Sequence, residues 1–455
     1  MESMNFTEGK ILGPLMKFAI PVLAALLLQS LYGAVDLLVV GQFSDAANVS
    51  AVATGSQIIQ TLTFVITDIA VGMTVLLGQL IGEGKRERAG KVIGAGIALF
   101  IFIGIAVTVL MEFAADGITG VMQAPEEAFS QTSAYIRICS GGTIFIIAYN
   151  VLGSIFRGIG NSKVPLITVL IAAIFNIFGD LLLVAIFHMG AAGAAYATVI
   201  SQALSVLLSF RIIRKMGLPF AFCAADIRPD GGLIKKILSI GTPIAVQDLL
   251  VSISFLIIMA IVNAIGVVAS AGVGVAERLC GFIMLVPSSF MQSMSAFVAQ
   301  NYGAGKPKRA LQALRTGIVI SLCFGIVLGW LSFFHGDRLS SVFSNDAEVI
   351  AASADYLKAY AIDCLFTAFL FCFNGFYNGL QRTKFVMIQG IVGAFGVRVP
   401  VSYLMSLRVP PSLFRIGLAT PCSTFLQITL CFIYLAYLRK KHIFDENEKT
   451  QPSLA

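Results

Sequence analysis

The chain has 455 residues, of which 57% are hydrophobic and only 12% charged. Soluble globular chains are nearer half apolar and about a quarter charged, so a water-soluble fold is excluded and most of the outer surface must face lipid. The formal net charge of +7 does not point to nucleic acid, because the basic residues are placed by membrane topology.

A membrane span needs roughly 20 apolar residues, and twelve stretches meet that length. In chain order they predict helix 1 near 12–42, helix 2 near 50–81, helix 3 near 92–115, helix 4 near 129–156, helix 5 near 164–187 and helix 6 near 190–213. Helix 7 follows near 234–263, helix 8 near 268–300, helix 9 near 310–334, helix 10 near 349–379, helix 11 near 385–407 and helix 12 near 414–438. Several run long, so tilt or ends outside the bilayer are expected. Alternating strand-length segments, the mark of an outer-membrane barrel, do not appear. The first apolar run is too long for a signal-peptide core and has no small-residue cleavage site, so it stays as helix 1.

With the N-terminus inside, 24 of the 31 Lys and Arg fall in inward segments, including the tail residue Lys449, and only Arg338, Arg408 and Arg415 fall outward. That bias places both termini in the cytoplasm of a cell-membrane protein. The cysteines form no C-x-x-C pair; seven lie in spans and Cys223 in a cytoplasmic loop, and all read as small packing residues.

The chain repeats itself. GEGKRERA at 82–89 returns as GAGKPKRA at 303–310, Tyr135-Ile136-Arg137 as Tyr356-Leu357-Lys358, and Ile20-Pro21 as Thr242-Pro243. Two copies of six helices share one orientation, the parallel-repeat plan of transporters. The expectation is an all-α integral membrane protein with twelve transmembrane helices in two pseudo-symmetric six-helix bundles. Residues 1–215 form the N-terminal lobe, 216–232 a cytoplasmic linker with Gly217 and Pro219, and 233–455 the C-terminal lobe and a short tail. No loop is long enough for a catalytic domain, so a transporter acting as a monomer is expected, not an enzyme. GEGKRERAG lacks the GK[ST] ending of a P-loop, and three histidines at helix ends or in the tail make no His-based metal site.

Ionisable groups inside a membrane are functional candidates by default. Here they are Asp36, Asp68, Asp180, Asp248, Glu277 and Asp363, with Arg137, Arg278, Lys358 and Arg398. At a rise of about 1.5 Å per residue, Asp36 sits roughly 27 Å along helix 1 and Asp180 roughly 24 Å along helix 5, so both reach the outer half of the N-terminal lobe. Asn176 precedes Asp180 by one helical turn, and Thr198 of helix 6 lies at similar depth. Two carboxylates in low dielectric need a shared proton or a cation; oxygen from Asn176 and Thr198 would complete a Na⁺ shell or hydrogen-bond a carboxylic acid. A buried packing cluster is the plain alternative. Among the rest, Asp68 and Asp363 are the secondary candidates, Glu277 reads as an ion pair with its neighbour Arg278, and Arg137 and Lys358 read as snorkelling residues. Pro21 and Pro243 are expected to kink helices 1 and 7.

Four segments carry a family resemblance: Phe18-Ala19-Ile20-Pro21, Arg157-Gly158-Ile159-Gly160-Asn161, Gln300-Asn301-Tyr302-Gly303-Ala304-Gly305-Lys306 and Val397-Arg398-Val399-Pro400. With them the chain resembles the multidrug and toxic compound extrusion (MATE) family over essentially its whole length. The resemblance implies alternating access of two six-helix bundles and export of cationic or aromatic organic compounds in exchange for H⁺ or Na⁺, with no other cofactor and no nucleic-acid partner. In the DinF-like branch the cation site is formed by an Asp on helix 1, an Asn-x-x-x-Asp pair on helix 5 and a Thr on helix 6. Asp36, Asn176, Asp180 and Thr198 match it, as coupling residues or as Na⁺ ligands, and Tyr135 and Asn150 of helix 4 are further cation or substrate candidates. The helix 7 Glu of the NorM-like branch is missing from Val246-Gln247-Asp248-Leu249. Gln29, Gln57, Phe145 and Met284 are candidates for the substrate wall. The alternative function is a flippase or exporter of lipid-linked saccharide or another amphipathic metabolite.

Overall fold

The computed structural model describes residues 4–217, 222, 224–408 and 410–445. Pro219, Cys223 and Lys449, which entered the sequence reading, lie outside these. Helix 1 runs Leu12–Phe43, helix 2 Ala46–Gly82 and helix 3 Arg86–Val121. Helix 4 has two pieces, Glu126–Gly141 and Thr143–Gly158, bent by 54°. Helix 5 runs Lys163–Asp180 and continues as a π-helix over Leu181–Ile186; helix 6 is Gly190–Met216. Helix 7 is Gly231–Asn263, helix 8 is Val267–Ile283 with Leu285–Gly303, and helix 9 is Pro307–Phe334. Helix 10 is Ala347–Gly379. Helix 11 joins Thr383–Gly393 and Val399–Ser406 through a π-helix at Ala394–Arg398. Helix 12 is Leu413–Gly417 with Ala419–Lys440. There is no strand among the described residues. Eleven helices are long and apolar enough to cross a membrane, and the bent helix 4 makes twelve.

The physical reason is the solvent. In hydrocarbon each backbone N–H and C=O must be satisfied within its own segment, which an unbroken helix does. The helix ends use ordinary signals. Asp45 caps helix 2 by accepting from the Asn48 N–H at 2.9 Å, and Asp346 caps helix 10 by accepting from the Glu348 N–H at 2.8 Å. Large apolar side chains face outward, Phe113 at 85% and Phe102 at 71% exposure, a surface only lipid can cover. Helices 1 and 7 pass through Pro21 and Pro243 without interruption.

The chain forms two compact units. The first contains Met4 and Ile20–Gly241, the second Asn5–Ala19 and the residues from Thr242 on. The division therefore falls inside helices 1 and 7, next to their prolines.

In the first unit a core of Val39, Val40, Val52, Ile59, Tyr135, Cys139 and Val184 fills the space between helices 1, 2, 4, 5 and 6. In the second unit Val262, Val273, Cys280, Tyr356, Tyr360 and Ile416 do the same. The second unit also holds the N-terminal segment. Phe6 is fully buried against Phe18 and Phe297, with ring centroids at 5.3 and 5.0 Å. Arg309 donates to the carbonyls of Phe6, Glu8 and Gly9 at 2.9, 2.8 and 2.7 Å. Asn301 donates to the Phe6 carbonyl at 3.1 Å and Lys306 to that of Thr7 at 3.0 Å. Two residues of the Gln300–Lys306 motif thus grip a peptide segment.

Candidate functional site

The sequence placed four polar residues at matching depth; the structure brings them together. Asp36 of helix 1, Asn176 and Asp180 of helix 5 and Thr198 of helix 6 are all buried. The Thr198 hydroxyl donates to Asp36 Oδ2 at 3.4 Å, and Asn176 Nδ2 donates to Thr198 Oγ1 at 3.4 Å. Asp180 and Asn176 also lie close to Asp36. Four oxygens have no hydrogen-bond partner: Asp36 Oδ1, Asn176 Oδ1 and both Oδ atoms of Asp180. Buried polar atoms are normally satisfied, so this concentration marks a place built for a further positive partner.

Local packing explains the convergence. Helices 5 and 6 approach closely because Gly179 has no side chain; a Cβ there would lie 2.9 Å from that of Ala197. Gly179 and Ala197 adjoin Asp180 and Thr198 in sequence, so the tight crossing sets the ligand spacing. Directly after Asp180 the helix widens into the π-turn Leu181–Ile186, a feature frequent at functional sites. Gly142, at the break in helix 4, leaves room for Val199 of helix 6 beside Thr198.

The other candidates divide. Tyr135 is buried and feels the charges of both Asp36 and Asp180, so it borders the site. Asn150 does not reach it: its amide donates to its own helix at Ile146 O, 2.8 Å away. Asp68 is half-buried on helix 2 and is not among the groups placed around Asp36. Asp363 belongs to the second unit. Gln29 donates to Tyr149 Oη at 3.2 Å, while Gln57 and Phe145 are exposed and Met284 lines a small pocket with Cys364 and Thr367. One expectation is corrected. Glu277 does not pair with Arg278, which is exposed; it accepts from the Tyr356 hydroxyl at 3.2 Å, because adjacent residues on a helix point about 100° apart. Arg137 is half-exposed and pairs with acids of helix 3, 2.8 Å from Asp116 Oδ2 and 3.8 Å from Glu112 Oε1.

The sequence reading passed over Tyr32 and Gln202. Tyr32 lies near Asp36 and Gln202. The signal was available: Tyr32 precedes Asp36, and Gln202 follows Thr198, by four residues, one helical turn.

The donors are hard oxygens with two formal negative charges, a set that suits a proton or a small cation with oxygen coordination. No group of three or more His, Cys, Asp or Glu that could hold a metal occurs among the described residues.

Comparison with known proteins agrees with this architecture. The MatE family model matches residues 21–182 and again 243–404. A probable multidrug resistance protein of Bacillus subtilis, YpnP, is 26% identical over 97% of this chain and 98% of its own length. The multidrug export protein MepA of Staphylococcus saprophyticus is 24% identical over 88% of each chain. Among solved structures, a MOP-superfamily transporter from Pyrococcus furiosus superposes with a TM-score of 0.90 at 19% identity, covering 97% of this chain and 99% of its own. An outward-facing multidrug resistance MATE transporter superposes equally well at 18% identity. The protein therefore belongs to the MATE family of multi-pass membrane transporters, which are efflux proteins and not enzymes.

Proposed function

We propose that this chain is a secondary antiporter that exports organic, drug-like compounds, cationic or aromatic, in exchange for H⁺ or Na⁺ bound at Asp36, Asn176, Asp180 and Thr198. Both termini are cytoplasmic, the transporter works as a monomer in the plasma membrane, and the site is of the DinF-like kind. The observation that carries this reading is the convergence of the four residues with four unpartnered oxygens. The names of the multidrug relatives support the substrate class.

The site converts ion binding into helix movement. Two ionised carboxylates about 4 Å apart repel by about 4 kcal/mol at an effective dielectric near 20. A proton or Na⁺ removes that repulsion and adds attraction, drawing helix 1 against helices 5 and 6. Releasing the ion reverses it. A ligand shifts a two-state equilibrium only through its differential affinity, and this charge cluster provides that difference for the ion. Substrate favours the state in which the ion is released, which gives exchange.

The test is dye efflux from proteoliposomes driven by an imposed H⁺ or Na⁺ gradient. Asp36→Asn and Asp180→Asn should each abolish gradient-driven transport while the purified protein keeps its helical content and monodispersity. Wild-type efflux rates in folded Asp36→Asn would sink the assignment.

A further inference from the structure

Chain ends are loose unless something ties them down. Here the segment Asn5–Gly9 is tied down by its own backbone. Four consecutive carbonyls, those of Phe6, Thr7, Glu8 and Gly9, accept hydrogen bonds from side chains at the end of helix 8 and the start of helix 9. Arg309 alone supplies three of the five bonds, through Nε, Nη1 and Nη2. The segment is shaped to meet them. Asn5 Oδ1 accepts from the Thr7 N–H at 2.9 Å and from its hydroxyl at 2.7 Å, and Gly9, at φ +68°, turns the chain toward helix 1.

The cradle is itself fixed. The Lys306 N–H donates to the Asn301 carbonyl at 2.9 Å, a turn that Gly305 permits at φ +67°. The Asn301 amide also donates to the Phe297 carbonyl at 2.8 Å. The Arg309 guanidinium lies 5.7 Å from the centre of the Phe297 ring, a contact that orients a planar cation. From this cradle the grip reaches helix 1 through the Phe6 ring. Phe6 meets Phe18 edge-on, and both are fully buried. Leu15, one turn before Phe18, is buried too and lies against helix 9 at Gly317, where a Cβ would stand 3.8 Å from Leu15 Cδ2.

All of these contacts belong to the second unit. Helix 1 passes from the second unit to the first between Ala19 and Ile20, and Pro21 offers no N–H to the Lys17 carbonyl four residues back. The helix is thus weakest where it changes units, and its start is held by contacts in series, from Arg309 to the Phe6 backbone and from the Phe6 ring to Phe18. We propose that Arg309 is a positioning residue for transport. With Asn301 and Lys306 it fixes Asn5–Gly9, and through Phe6 and Phe18 it fixes the start of helix 1. A displacement of helix 1 in the first unit is then carried into the second instead of being lost at a slipping end. The proposal uses the efflux activity of the family and does not depend on which residues bind the ion.

The experiment compares purified full-length wild type, Arg309→Ala, Arg309→Lys, Phe6→Ala and the double variant Phe6→Ala/Arg309→Ala. One measurement is amide hydrogen exchange over Leu12–Ala19, which needs no substrate. The other is efflux of ethidium, a cationic aromatic dye, from proteoliposomes, as a maximal rate and a half-saturating concentration, beside the ethidium bound per molecule in detergent. Arg309→Ala should speed exchange over Leu12–Ala19 by about tenfold or more, the effect of losing one hydrogen bond to a charged group. It should lower the maximal efflux rate severalfold, with the half-saturating concentration and the bound ethidium unchanged. Arg309→Lys keeps one donor and should fall between. The double variant should be no worse than Phe6→Ala, because both changes break the same series; if Phe6→Ala does not fold, Phe6→Leu carries that comparison. Unchanged exchange or a wild-type maximal rate in Arg309→Ala overturns the proposal. So does a rate that falls only in step with bound ethidium, which is a loss of folded protein. Asp36→Asn should lose efflux and keep wild-type exchange over Leu12–Ala19, so a failure of the ion assignment is read apart from a failure here.

Discussion

The close crossing of helices 5 and 6 gives a graded way to detune the ion site without touching a ligand. In Gly179→Ala the new methyl would stand 2.9 Å from the Cβ of Ala197. Carbon atoms rest at about 3.5–4.0 Å, so the helices must separate by about 0.6–1.1 Å. The Asn176–Thr198 and Thr198–Asp36 bonds are already 3.4 Å long and have no reserve at that displacement. Losing a neutral hydrogen bond costs about 0.5–1.5 kcal/mol and one to a charged group about 1.5–3 kcal/mol. A net loss near 1.4 kcal/mol is about tenfold in ion affinity. The assay is the ion concentration that gives half-maximal gradient-driven efflux in proteoliposomes. Gly179→Ala should raise it about tenfold with little change in maximal rate. The double variant Gly179→Ala/Ala197→Gly moves the methyl across the interface and should restore it. An unchanged half-saturating concentration in folded Gly179→Ala would show that the Asn176–Thr198 spacing does not set ion affinity.

Other outcomes follow from the same geometry. Thr198→Val keeps the shape but removes the hydroxyl that bridges Asn176 and Asp36; it should weaken ion dependence about tenfold, by 1–2 kcal/mol, while Thr198→Ser stays near wild type in the same efflux titration. Phe6→Ala empties a fully buried position and should destabilise the protein by about 3–5 kcal/mol, read as a lower unfolding temperature in detergent. Asp45 has its carboxyl held below the ordinary aspartate range by the Asn48 N–H and side-chain amide. Its cap on helix 2 contributes stability above that range and loses it as pH falls through the lowered value, so Asp45→Asn should flatten the acid limb of a melting-temperature profile. An acid limb identical to wild type would show that the Asp45 carboxyl does not contribute to it.

Much of this was legible in the sequence because lipid imposes simple rules. Twelve apolar runs became twelve spans because backbone groups in hydrocarbon leave no other choice. Asp36, Asn176, Asp180 and Thr198 could be grouped because helical rise converts residue number into depth. What depth does not give is azimuth. Asn150 seemed a candidate on the same helix as Tyr135, but its amide folds back onto Ile146. Glu277 and Arg278 are neighbours in sequence and turn to different surroundings. The partition of helices 1 and 7 between two compact units was not legible, because each helix reads as one continuous span. Tyr32 and Gln202 were hidden among ordinary polar positions, although each stands one turn from a ligand.

The central claim is that ion and substrate exchange through the Asp36–Asp180 cluster, and antiport is reciprocal. The most direct measurement is therefore ion movement driven by substrate. Proteoliposomes are loaded with a transported dye, diluted into dye-free buffer without an ion gradient, and followed with a Na⁺-sensitive or pH-sensitive probe. The account predicts ion accumulation inside as dye leaves, absent in Asp36→Asn and Asp180→Asn. Dye efflux through the wild-type protein with no counter-movement of either ion would contradict it.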